Sequence, residues 1–554
     1  MILYQSMKWQ ILSKGKDIIK ELLKNRNIKT KKEIDEFLQP KNPAEINIQE
    51  LGIGKEELEK VIKKLQTAKD KKEKIVVVGD YDCDGVCATA ILWETLYKLG
   101  FDAMPYIPDR FEEGYGFKTG SLEKLQNFNP PAGGLNPKLI ITVDNGIVAY
   151  DAIDEAQKRE IDVIVVDHHT KGDKKLSTSY ILHSTAVCGS ALAWFLSREL
   201  SYRFGTRKAG SEPNRIEPVM GLDFVALGTV ADQMQLLGIN RSLVKYGLED
   251  LQKTKRVGLK ALIKSAGLDK VGVYEAGYIL APRINAMGRL SHALDSLRLL
   301  CTRDTKKAET LAKVLSETNI ERQKIVDDVL VKAIQLVTEE KVVVIEGDYH
   351  EGVIGLASGK ITEKLYRPSI VLSHGEKVSK ASARSISGFN IIEAIKETGL
   401  ILEGGGHPMA AGFSIETSKI SEFRTKINKL SQDKLTDEIL EKKLKIDLEL
   451  DFENIDNDLV KALESFEPTG YGNFSPVFMT EGVKVVEIKP VGSDGKHLKL
   501  KLSQNGIVFD AIWFSFSKSL ALIPNSSVNV AYTIETNTWN NHSQTQLKVK
   551  DIKT

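Results

Sequence analysis

The sequence has 554 residues, which is too long for one hydrophobic core and predicts about three to four domains. Its composition, 42% hydrophobic and 27% charged, is typical of a soluble globular protein, and the absence of any run of about 18 apolar residues argues against a membrane span. A formal net charge of +2 excludes a strong whole-molecule field, so any nucleic-acid partner would have to be held by local basic patches.

The cysteines argue against a secreted, disulfide-bonded protein. Cys83, Cys87, Cys188 and Cys301 form no CxxC pair in a chain of this size, and the first twelve residues lack a secretory signal pattern. We therefore expect a reducing, cytoplasmic location. Residues 1–70 are rich in Lys, Glu and Leu at helical spacing and predict an N-terminal helical segment, with helices from Asp17 to Leu23 and from Glu56 to Ala68.

The stretch from Ile75 to Gly85 joins a predicted buried strand to three aspartates. Ile75–Val78 is an unbroken β-branched run, typical of a parallel-sheet strand covered on both faces. Because alternate residues of an extended segment point the same way, we expect Asp80, Asp82 and Asp84 to crowd together. Such crowding favours a hard cation such as Mg²⁺ or Mn²⁺, and a polar, calcium-like turn is the alternative.

Two more predicted strands also end in side chains that can bind a metal. After a helix from Val86 to about Leu99, the strand Leu139–Val143 runs into Asp144. After a further helix, the strand Val163–Val166 runs into Asp167, His168 and His169. Strand–helix alternation predicts a parallel sheet, whose ligands lie beyond the carboxyl ends of the strands. We therefore expect these residues to converge at one edge of the sheet.

Further along the chain, an acid and several arginines are candidate site residues. Asp232 ends an apolar predicted helix and needs a partner if it is buried, although a simple polar helix end is the alternative. Arg110, next to Phe111 and close to Tyr115, suits a phosphate with a stacked base, although such a loop can be purely structural. Arg283 and Arg289 lie on either side of a glycine in a segment that we interpret as a phosphate-contacting loop.

Strand–helix alternation resumes after a long predicted helix, from about Thr305 to Val337. Gly404, Gly405 and Gly406, followed by His407, predict a loop whose backbone can approach an anion, although a glycine triplet alone is weak support. The run from Gly355 to Ile361 resembles a P-loop but lacks its spacing and its Ser or Thr, so ATP hydrolysis is rejected.

Short alternating strands after residue 441 predict a small β-barrel. This C-terminal segment mixes lysines with aromatic rings, a composition that suits binding of single-stranded nucleic acid. The alternative is an aromatic core behind an edge strand whose lysines prevent aggregation. The residues concerned are Lys496, Lys499, Lys501, Phe466, Tyr471, Phe474, Trp513 and Trp539.

Together, these motifs resemble those of the DHH phosphoesterase superfamily, and within it the RecJ family of single-strand-specific exonucleases. The motifs that carry the resemblance are Asp80–Gly85, Val143–Gly146, Asp167–His169, Val230–Asp232 and Gly404–His407. Supporting stretches include Arg110–Tyr115, Ala281–Ala286, His350–Gly355, Ser382–Ser385 and Phe466–Asn473. The sequence departs from the family pattern at Asn145, Gln233 and Gln235, and none of these departures removes a candidate ligand.

The resemblance implies an α/β fold: a parallel-sheet DHH domain and a DHH-associated α/β domain joined by a long helix, with a C-terminal OB-type β-barrel. The expected boundaries are 1–70 for the helical segment, 71–304 for the DHH domain, 305–338 for the connecting helix, 339–435 for the associated domain and 436–554 for the OB domain. A groove between the DHH domain and the associated domain would admit single strands.

The resemblance also implies a two-metal-ion, single-strand-specific 5′-to-3′ DNA exonuclease that releases 5′-mononucleotides and acts in DNA repair and recombination. Two divalent cations, Mn²⁺ or Mg²⁺, are expected. The metal ligands would be Asp80, Asp82, Asp84, Asp144, His168 and Asp232, with direct ligation by Asp80 left open.

Asp144, Asp167 and His169 would act in catalysis. His169 would contact the scissile phosphate or assist the leaving oxygen, and its alternative role is to orient His168. The terminal 5′ phosphate, the nearby backbone and a terminal base would be bound by Arg110, Tyr115, Arg283, Arg289, Ser382, Arg384 and Gly404–His407. Besides 5′-phosphorylated single-stranded DNA, a helicase and a single-strand-binding protein are candidate partners, and we expect a monomer without membrane association.

Three alternatives remain at this point. A DHH-family phosphodiesterase of oligoribonucleotides or cyclic dinucleotides would be more compact than this chain. A non-catalytic DHH replication scaffold would be expected to lose ligands. A zinc protein built from Cys83, Cys87, His168 and His169 would have poor ligand spacing.

Overall fold

The protein is described from a computed structural model. The structure describes residues 7–114, 116–127, 136–205, 221–336, 340–492, 495–514, 516, 522–539 and 542–554. The chain divides into two compact units. Unit 1 comprises Met1–Ile34, Gln323–Glu467 and Ser475–Thr554, and unit 2 comprises Asp35–Arg322 and Pro468–Phe474. Within the described residues, no helix is both long and apolar enough to cross a membrane.

The N-terminal segment contains the predicted helices and one strand that was not predicted. Its elements are β1 (Lys8–Ser13), α1 (Ile18–Asn25), α2 (Lys31–Leu38) and α3 (Lys55–Asp70), with 3₁₀ turns at Pro43–Glu45 and Ile48–Leu51. β1 pairs in parallel with the strand Lys443–Glu449, and Trp9 Nε1 donates to Asp551 Oδ2 at 2.7 Å. The expectation of a purely helical segment over residues 1–70 is therefore wrong at β1, whose partner strand is more than four hundred residues away in sequence.

The predicted parallel sheet is confirmed in unit 2. Its elements are β2 (Ile75–Val78), α4 (Cys83–Lys98), β3 (Ala103–Tyr106), α5 (Thr119–Asn127), β4 (Leu139–Val143), α6 (Tyr150–Lys158), β5 (Asp162–Asp167) and β6 (Tyr180–His183). The strand order is β3-β2-β4-β5-β6, and every neighbouring pair is parallel. All residues of β2 and β4 are buried, as expected for strands with helices on both faces.

A helical region follows and ends with the long connecting helix, whose residues up to Arg322 belong to unit 2 and whose later residues belong to unit 1. Its elements are α7 (Gly189–Phe204), α8 (Leu222–Ala231), α9 (Gly238–Gln252), α10 (Val257–Ser265), a π-helix (Glu275–Leu280), α11 (Ala281–Leu290), α12 (Leu294–Cys301) and α13 (Thr305–Leu336). The long helix is confirmed, although Val337 lies outside the described residues. The loop predicted around Arg283 and Arg289 is wrong, because both residues belong to α11. Pro282 is compatible with this helix because it lies in the first turn, where its missing N–H costs no hydrogen bond.

Unit 1 contains the second predicted α/β region. Its elements are β7 (Val343–Gly347), α14 (Glu351–Leu365), β8 (Ser369–Ser373), β9 (Val378–Arg384), α15 (Ile391–Glu397), β10 (Ile401–His407), β11 (Ala410–Glu416), a 3₁₀ turn (Thr417–Lys419), α16 (Ile420–Ser431) and α17 (Asp437–Leu440). The strand order is β10-β11-β9-β8-β7, in which only β7 and β8 pair in parallel. Gly404–His407 belong to β10, so the predicted glycine loop is wrong.

The predicted barrel is confirmed at the C-terminal end of the sequence. Its elements are β12 (Lys443–Glu449), a 3₁₀ turn (Phe452–Asn454), α18 (Asn457–Glu464), β13 (Phe478–Val491), β14 (His497–Gln504), β15 (Ile507–Trp513), β16 (Ser527–Trp539) and β17 (His542–Lys553). The order β13-β14-β15-β17-β16 closes because β16 also pairs with β13. The predicted fold class is therefore confirmed.

Most of the aromatic residues assigned to a nucleic-acid-binding barrel surface have other roles. Phe466 and Trp513 are buried, at 0% and 4% exposure, so neither can stack on a base. Tyr471 and Phe474 are exposed but belong to unit 2, not to the barrel. The side chain of Trp539 lies outside the described residues. The barrel core is thus aromatic, as the alternative interpretation had it.

Candidate metal centre

The first acidic motif surrounds the start of a helix. α4 begins at Cys83, three residues earlier than predicted, and Asp82 is its N-cap, with Oδ1 accepting from Gly85 N at 3.0 Å. Asp84 lies in the first helical turn, so the expected extended alternation of three aspartates is wrong. Gly85 is needed here because a Cβ at this position would lie 2.6 Å from the backbone N and O of Asp80. The close approach of helix and strand end brings the carboxylates together instead.

Asp144 directly follows β4 and has an unusual backbone conformation. Its φ is +61°, in the left-handed region that costs free energy for a residue with a Cβ. The side chain is 2% exposed, and Gly189 leaves it room, since a Cβ there would lie 2.5 Å from Asp144 Oδ1. Asp144 Oδ1 and His168 Nε2 lie 3.1 Å apart, and neither of these buried atoms has a hydrogen-bond partner among the described residues. Two such atoms aimed at each other suit a shared cation.

Asp167 organises the two histidines that follow it. Its carboxylate accepts hydrogen bonds from the backbone N–H groups of His168, His169 and Ile147 at 2.7, 3.1 and 2.9 Å, and His169 Nδ1 lies 2.7 Å from Oδ1. Burial raises the pKa of Asp167, but the bond to His169, the charge of that ring and the backbone donors together lower it below its ordinary value. Asp167 is therefore an ionised positioning residue.

His169 is the cationic partner of this pair. Burial lowers its pKa, but the hydrogen bond and charge of Asp167, with the charges of Asp232 and Asp80, raise the pKa of His169 to about 9. Burial lowers the pKa of His168, whose ring centroid lies 4.4 Å from that of His169. The two rings are thus suited to different tasks, a neutral metal ligand and a protonated donor. Nδ1 of His169 faces Asp167. The alternative role of His169, in which this nitrogen would orient His168, is therefore not supported.

Two more carboxylates come from helix ends. Asp84 Oδ2 accepts from Gly189 N at 2.6 Å and Oδ1 accepts from Ser190 N at 3.0 Å, at the start of α7. Asp232 caps the C-terminus of α8, with Oδ2 3.7 Å from His168 Nε2. Burial and the charges of Asp84 and Asp82 raise the pKa of Asp232 to about 8. Burial and the neighbouring carboxylates therefore outweigh the charge of His169, which acts on Asp232 in the opposite direction.

The other carboxylates show the same crowding. Burial, followed by the charges of Asp84, Asp82 and Asp80, raises the pKa of Asp144 well above its ordinary value. Burial and then the charge of Asp84 raise the pKa of Asp82. Ionised carboxylates this close repel each other unless a cation lies among them.

The ligand atoms fall into three groups, within each of which all lie within 4.8 Å of one another. The groups are Asp80, Asp82, Asp144; Asp84, His168, Asp232; and Asp144, His168, His169. They contain all six candidate ligands and add His169. None of the groups found among the described residues includes a cysteine, and Cys83 and Cys87 are buried, so the zinc alternative is not supported. Carboxylate oxygens with an imidazole fit Mn²⁺ or Mg²⁺.

An arginine cluster adjoins the first group. The guanidinium of Arg110 lies 5.1 Å from the ring centroid of Tyr81. A Cβ on Gly288 would lie 2.7 Å from the carbonyl oxygen of Tyr81, so α11 packs directly against the first acidic motif. Burial and then the charge of Arg110 lower the pKa of Arg289 to about 10, and Arg322 contributes in the same direction. Arg110 and Arg289 therefore lie close to each other and to Tyr81. Arg322, assigned only to a connecting helix, is a residue that the sequence interpretation missed.

Arg283 does not join this cluster. It precedes Arg289 by six residues, which places the two side chains about 120° apart around the helix. Its Nη1 donates to Ile279 O at 2.6 Å and its Nε donates to Ser316 Oγ at 3.3 Å. Tyr115 lies outside the described residues.

The remaining candidates lie in unit 1. Strand register aligns Gly405 with Gly412 and Ser382, and His407 with Ala410 and Arg384. Because cross-strand partners point the same way, Ser382, Arg384, Gly405 and His407 share one face of the sheet. Gly404 and Gly406 alternate to the opposite face. Arg384 donates to Ala383 O at 2.9 Å, and burial lowers its pKa.

Three family models match the chain. They are the DHH family, N-terminal domain, at residues 74–229; the DHHA1 domain, at residues 331–433; and the RecJ OB domain, at residues 446–551.

Curated relatives match nearly the whole chain. The "Single-stranded-DNA-specific exonuclease RecJ" of Bacillus subtilis is 31% identical over 575 residues, which cover 99% of this chain and 71% of that protein. The protein of the same name from Haemophilus influenzae is 30% identical, over 97% of this chain and 96% of its own length.

Solved structures give the same result. The structure of RecJ in complex with Mn²⁺ from Thermus thermophilus has a TM-score of 0.82 and 27% identity, and covers 99% of this chain and 79% of that chain. A Mg²⁺ complex from the same organism has a TM-score of 0.76 and 26% identity, and covers 99% of this chain and 78% of that chain.

Proposed function

Because the chain belongs to the RecJ family of single-stranded-DNA-specific exonucleases, we propose that it hydrolyses single-stranded DNA from the 5′ end and releases 5′-mononucleotides. The observation that carries the proposal is the cluster of Asp144 and His168, whose buried, unpartnered atoms face each other among four further carboxylates. An intact ligand set argues against a non-catalytic scaffold. A match over nearly the whole chain argues against the more compact oligoribonucleotide or cyclic-dinucleotide phosphodiesterases.

The ligand groups would hold two divalent cations, Mn²⁺ or Mg²⁺. Asp80, Asp82 and Asp144 would hold one, and Asp84, His168 and Asp232 the other, with Asp144 close enough to His168 to be shared. Such a pair of cations supplies activation of the attacking water and neutralisation of the charge on the phosphate. Both complexes of the Thermus thermophilus relative support this choice of metals.

His169 would supply the proton that the leaving group needs. With a pKa of about 9, its ring is protonated at neutral pH. Asp167 fixes the ring through Nδ1, and the other nitrogen would serve the scissile phosphate or its leaving 3′ oxygen. Water adds to phosphorus as the P–O3′ bond breaks, and the shortened strand keeps a new 5′ phosphate. This product is again a substrate, which suits stepwise removal of nucleotides.

Arg110 and Arg289 are assigned to the phosphates next to the scissile bond, because they lie on the Asp82 side of the centre. Ser382, Arg384, Gly405 and His407 are assigned to backbone phosphates, since one sheet face presents all four. Recognition of a terminal 5′ phosphate would set the polarity of digestion.

The wider predictions stay part of this proposal. The domain boundaries at residues 71–304, 305–338, 339–435 and 436–554 are retained, as are a cytoplasmic location, a monomeric state and a role in DNA repair and recombination. A helicase and a single-strand-binding protein remain candidate partners, since both act on the strand that this enzyme would consume.

Strands labelled at either end test the proposal. With Mn²⁺, a 5′ label on single-stranded DNA should appear at once as mononucleotide, while a 3′ label should stay in strands that shorten gradually. The same strand in a blunt duplex and reactions with a chelator should yield no product. Early release of the 3′ label would refute the polarity, and equal cleavage of the duplex would refute the strand selectivity.

A further inference from the structure

Four exposed aromatic rings in unit 2 take no part in the metal centre. They are Tyr274, Tyr278, Tyr471 and Phe474, hereafter the aromatic patch, with exposures of 63%, 72%, 52% and 65%. Rings of this size usually bury most of their surface. Tyr274 and Tyr278 stack with centroids 5.1 Å apart, and Tyr471 and Phe474 meet edge to face at 6.2 Å. Two pairs of solvent-facing rings offer stacking surface to a ligand.

The turn that carries the second pair is firmly held. Gly470 N donates to Asn473 O at 2.8 Å and Asn473 N donates to Gly470 O at 3.1 Å. Asn473 is fully buried, and its Nδ2 donates to Pro468 O at 3.0 Å. Nη1 of the buried Arg241 donates to the same carbonyl at 3.2 Å. The exposure of these rings is therefore built into the structure of the turn.

The same turn lies next to a predicted metal ligand. Leu236 N donates to Tyr471 O at 2.8 Å, and Leu236 follows Asp232 by four residues, which span at most about 14 Å. Gly472 packs against Gln235, whose side-chain Cβ would lie 2.8 Å from a Cβ at that glycine. The second pair of rings is thus tied by its backbone to the segment that leaves the metal centre.

The first pair adjoins the same segment. Val273, which precedes Tyr274, has a Cγ1 atom that would lie 3.1 Å from a Cβ on Gly470. Gly277, one residue before Tyr278, faces Val230 near the end of α8, where a Cβ would lie 3.0 Å from Val230 Cγ1. Both ring pairs therefore lie on elements packed against residues 230–236.

The aromatic patch and the arginines lie at different points along one helical segment beside the metal centre. Gly277, one residue before Tyr278, faces Val230 near Asp232, whereas Gly288, one residue before Arg289, packs on Tyr81, whose ring centroid lies 5.1 Å from the Arg110 guanidinium. Eleven residues separate the two glycines, roughly 16 Å along the helix axis. Rings stack on bases of any sequence, and guanidinium groups bind phosphate. A strand whose 5′ end lies at the arginines would continue beyond Asp232.

We propose that the aromatic patch stacks bases of the single strand on the 3′ side of the bond that is cleaved. The inference rests on the proposed function, because continuity with the metal centre identifies the occupant as the substrate strand. Exposed Gln235, which departs from the family pattern, packs against Gly472 and adds an amide group beside the second pair of rings. The rings would act as positioning residues that hold the strand in place between cleavage steps.

Two double variants test the proposal: Tyr471→Ala with Phe474→Ala, and Tyr274→Ala with Tyr278→Ala. Each should weaken binding of a 5′-phosphorylated strand longer than about 16 nucleotides by roughly tenfold or more, because each double variant removes the rings on which a base would stack. Binding is measured by anisotropy in an Asp144→Asn background, so that cleavage does not interfere. Affinity for a 5′-phosphorylated dinucleotide, measured in the same background, should change by less than about twofold, because this ligand is too short to reach the rings.

Two controls separate stacking from loss of structure. Tyr97→Ala removes a ring of 63% exposure at the far end of α4, about 21 Å along the helix axis from Cys83, and should leave affinity unchanged. Tyr274→Phe with Tyr278→Phe keeps both rings and should retain parent affinity. A 2-aminopurine base moved along the strand should lose fluorescence at internal positions in the parent protein and regain it in the alanine variants.

The proposal is overturned if the alanine variants bind the long strand within twofold of the parent, in which case the rings serve another partner such as a protein. It is also overturned if dinucleotide affinity falls as much as long-strand affinity. If the parent bound but did not degrade single strands, the proposed function would fail, while the binding comparison would still decide whether the rings stack on bases.

Discussion

Binding of Mn²⁺ should release protons from the metal centre, and the structure sets the amount. Burial and the charges of Asp84 and Asp82 raise the pKa of Asp232 to about 8 in the metal-free protein. A group with this pKa is about nine-tenths protonated at pH 7 and about half protonated at pH 8. Because a ligating carboxylate must be ionised, Mn²⁺ should displace about 0.9 proton from Asp232 at pH 7 and about 0.5 at pH 8. Asp144, whose pKa burial also raises, adds to both values.

The sign of the pKa shift also fixes how stability depends on pH. The folded-state pKa of Asp232 lies above its ordinary value of 3.8, so the folded protein holds a proton that the unfolded chain has lost. The resulting stabilisation is complete below about pH 4 and is lost as the pH rises towards about 8, at roughly 1.4 kcal/mol per pH unit for one such group. Because Mn²⁺ takes the place of the proton, its affinity should rise by up to about tenfold per pH unit over the same window.

Isothermal titration of Mn²⁺ into metal-free protein measures the release directly. Titrations at one pH in two buffers with different ionisation enthalpies give the number of protons released. Asp232→Asn, which has no proton to lose, should release about 0.9 proton fewer at pH 7 than the parent. Proton release near zero at pH 7, or release that increases between pH 7 and pH 8, would refute the reasoning.

Two further substitutions act through neighbours of the centre. Asp167→Asn removes the hydrogen-bonded charge that, against burial, raises the pKa of His169, so the basic limb of the pH–rate profile should move to lower pH. An unmoved limb would contradict the assigned role. Gly189→Ala places a Cβ 2.5 Å from Asp144 Oδ1 and should weaken Mn²⁺ binding in titration calorimetry. The control Gly120→Ala adds a Cβ in open space and should leave Mn²⁺ affinity unchanged. Equal Mn²⁺ affinities of the two variants would contradict the close packing of Gly189 against Asp144.

Much of the metal centre could be predicted because local patterns encode it. The β-branched run Ile75–Val78 and the strand Leu139–Val143 indicate buried parallel strands, and parallel strands must end at one edge of a sheet. That rule alone brings Asp80, Asp144 and His168 to one place. Their detailed geometry was harder to predict, because the early start of α4 at Cys83 replaces an extended segment with a helical turn.

What could not be predicted depends on contacts between distant residues. β1 looks like an ordinary polar segment until its partner, Lys443–Glu449, is known. Gly404–Gly406 suggest a loop, yet pairing with β11 keeps them in a strand. Tyr471 belongs with unit 2 because Leu236 and Arg241 hold its turn, which no local pattern shows. No local pattern marks Arg322 within α13, because its place beside Arg289 depends on packing between distant segments.

Asp144→Ala tests the central claim most directly. The carboxylate of Asp144 lies within reach of both the Asp80–Asp82 group and His168, so its removal should abolish release of mononucleotides from single-stranded DNA in Mn²⁺. The variant should still bind the strand, because the arginines and the exposed rings are untouched. Loss of turnover with binding retained is the predicted result. Turnover close to that of the parent protein would contradict a metal-dependent exonuclease built on these ligands.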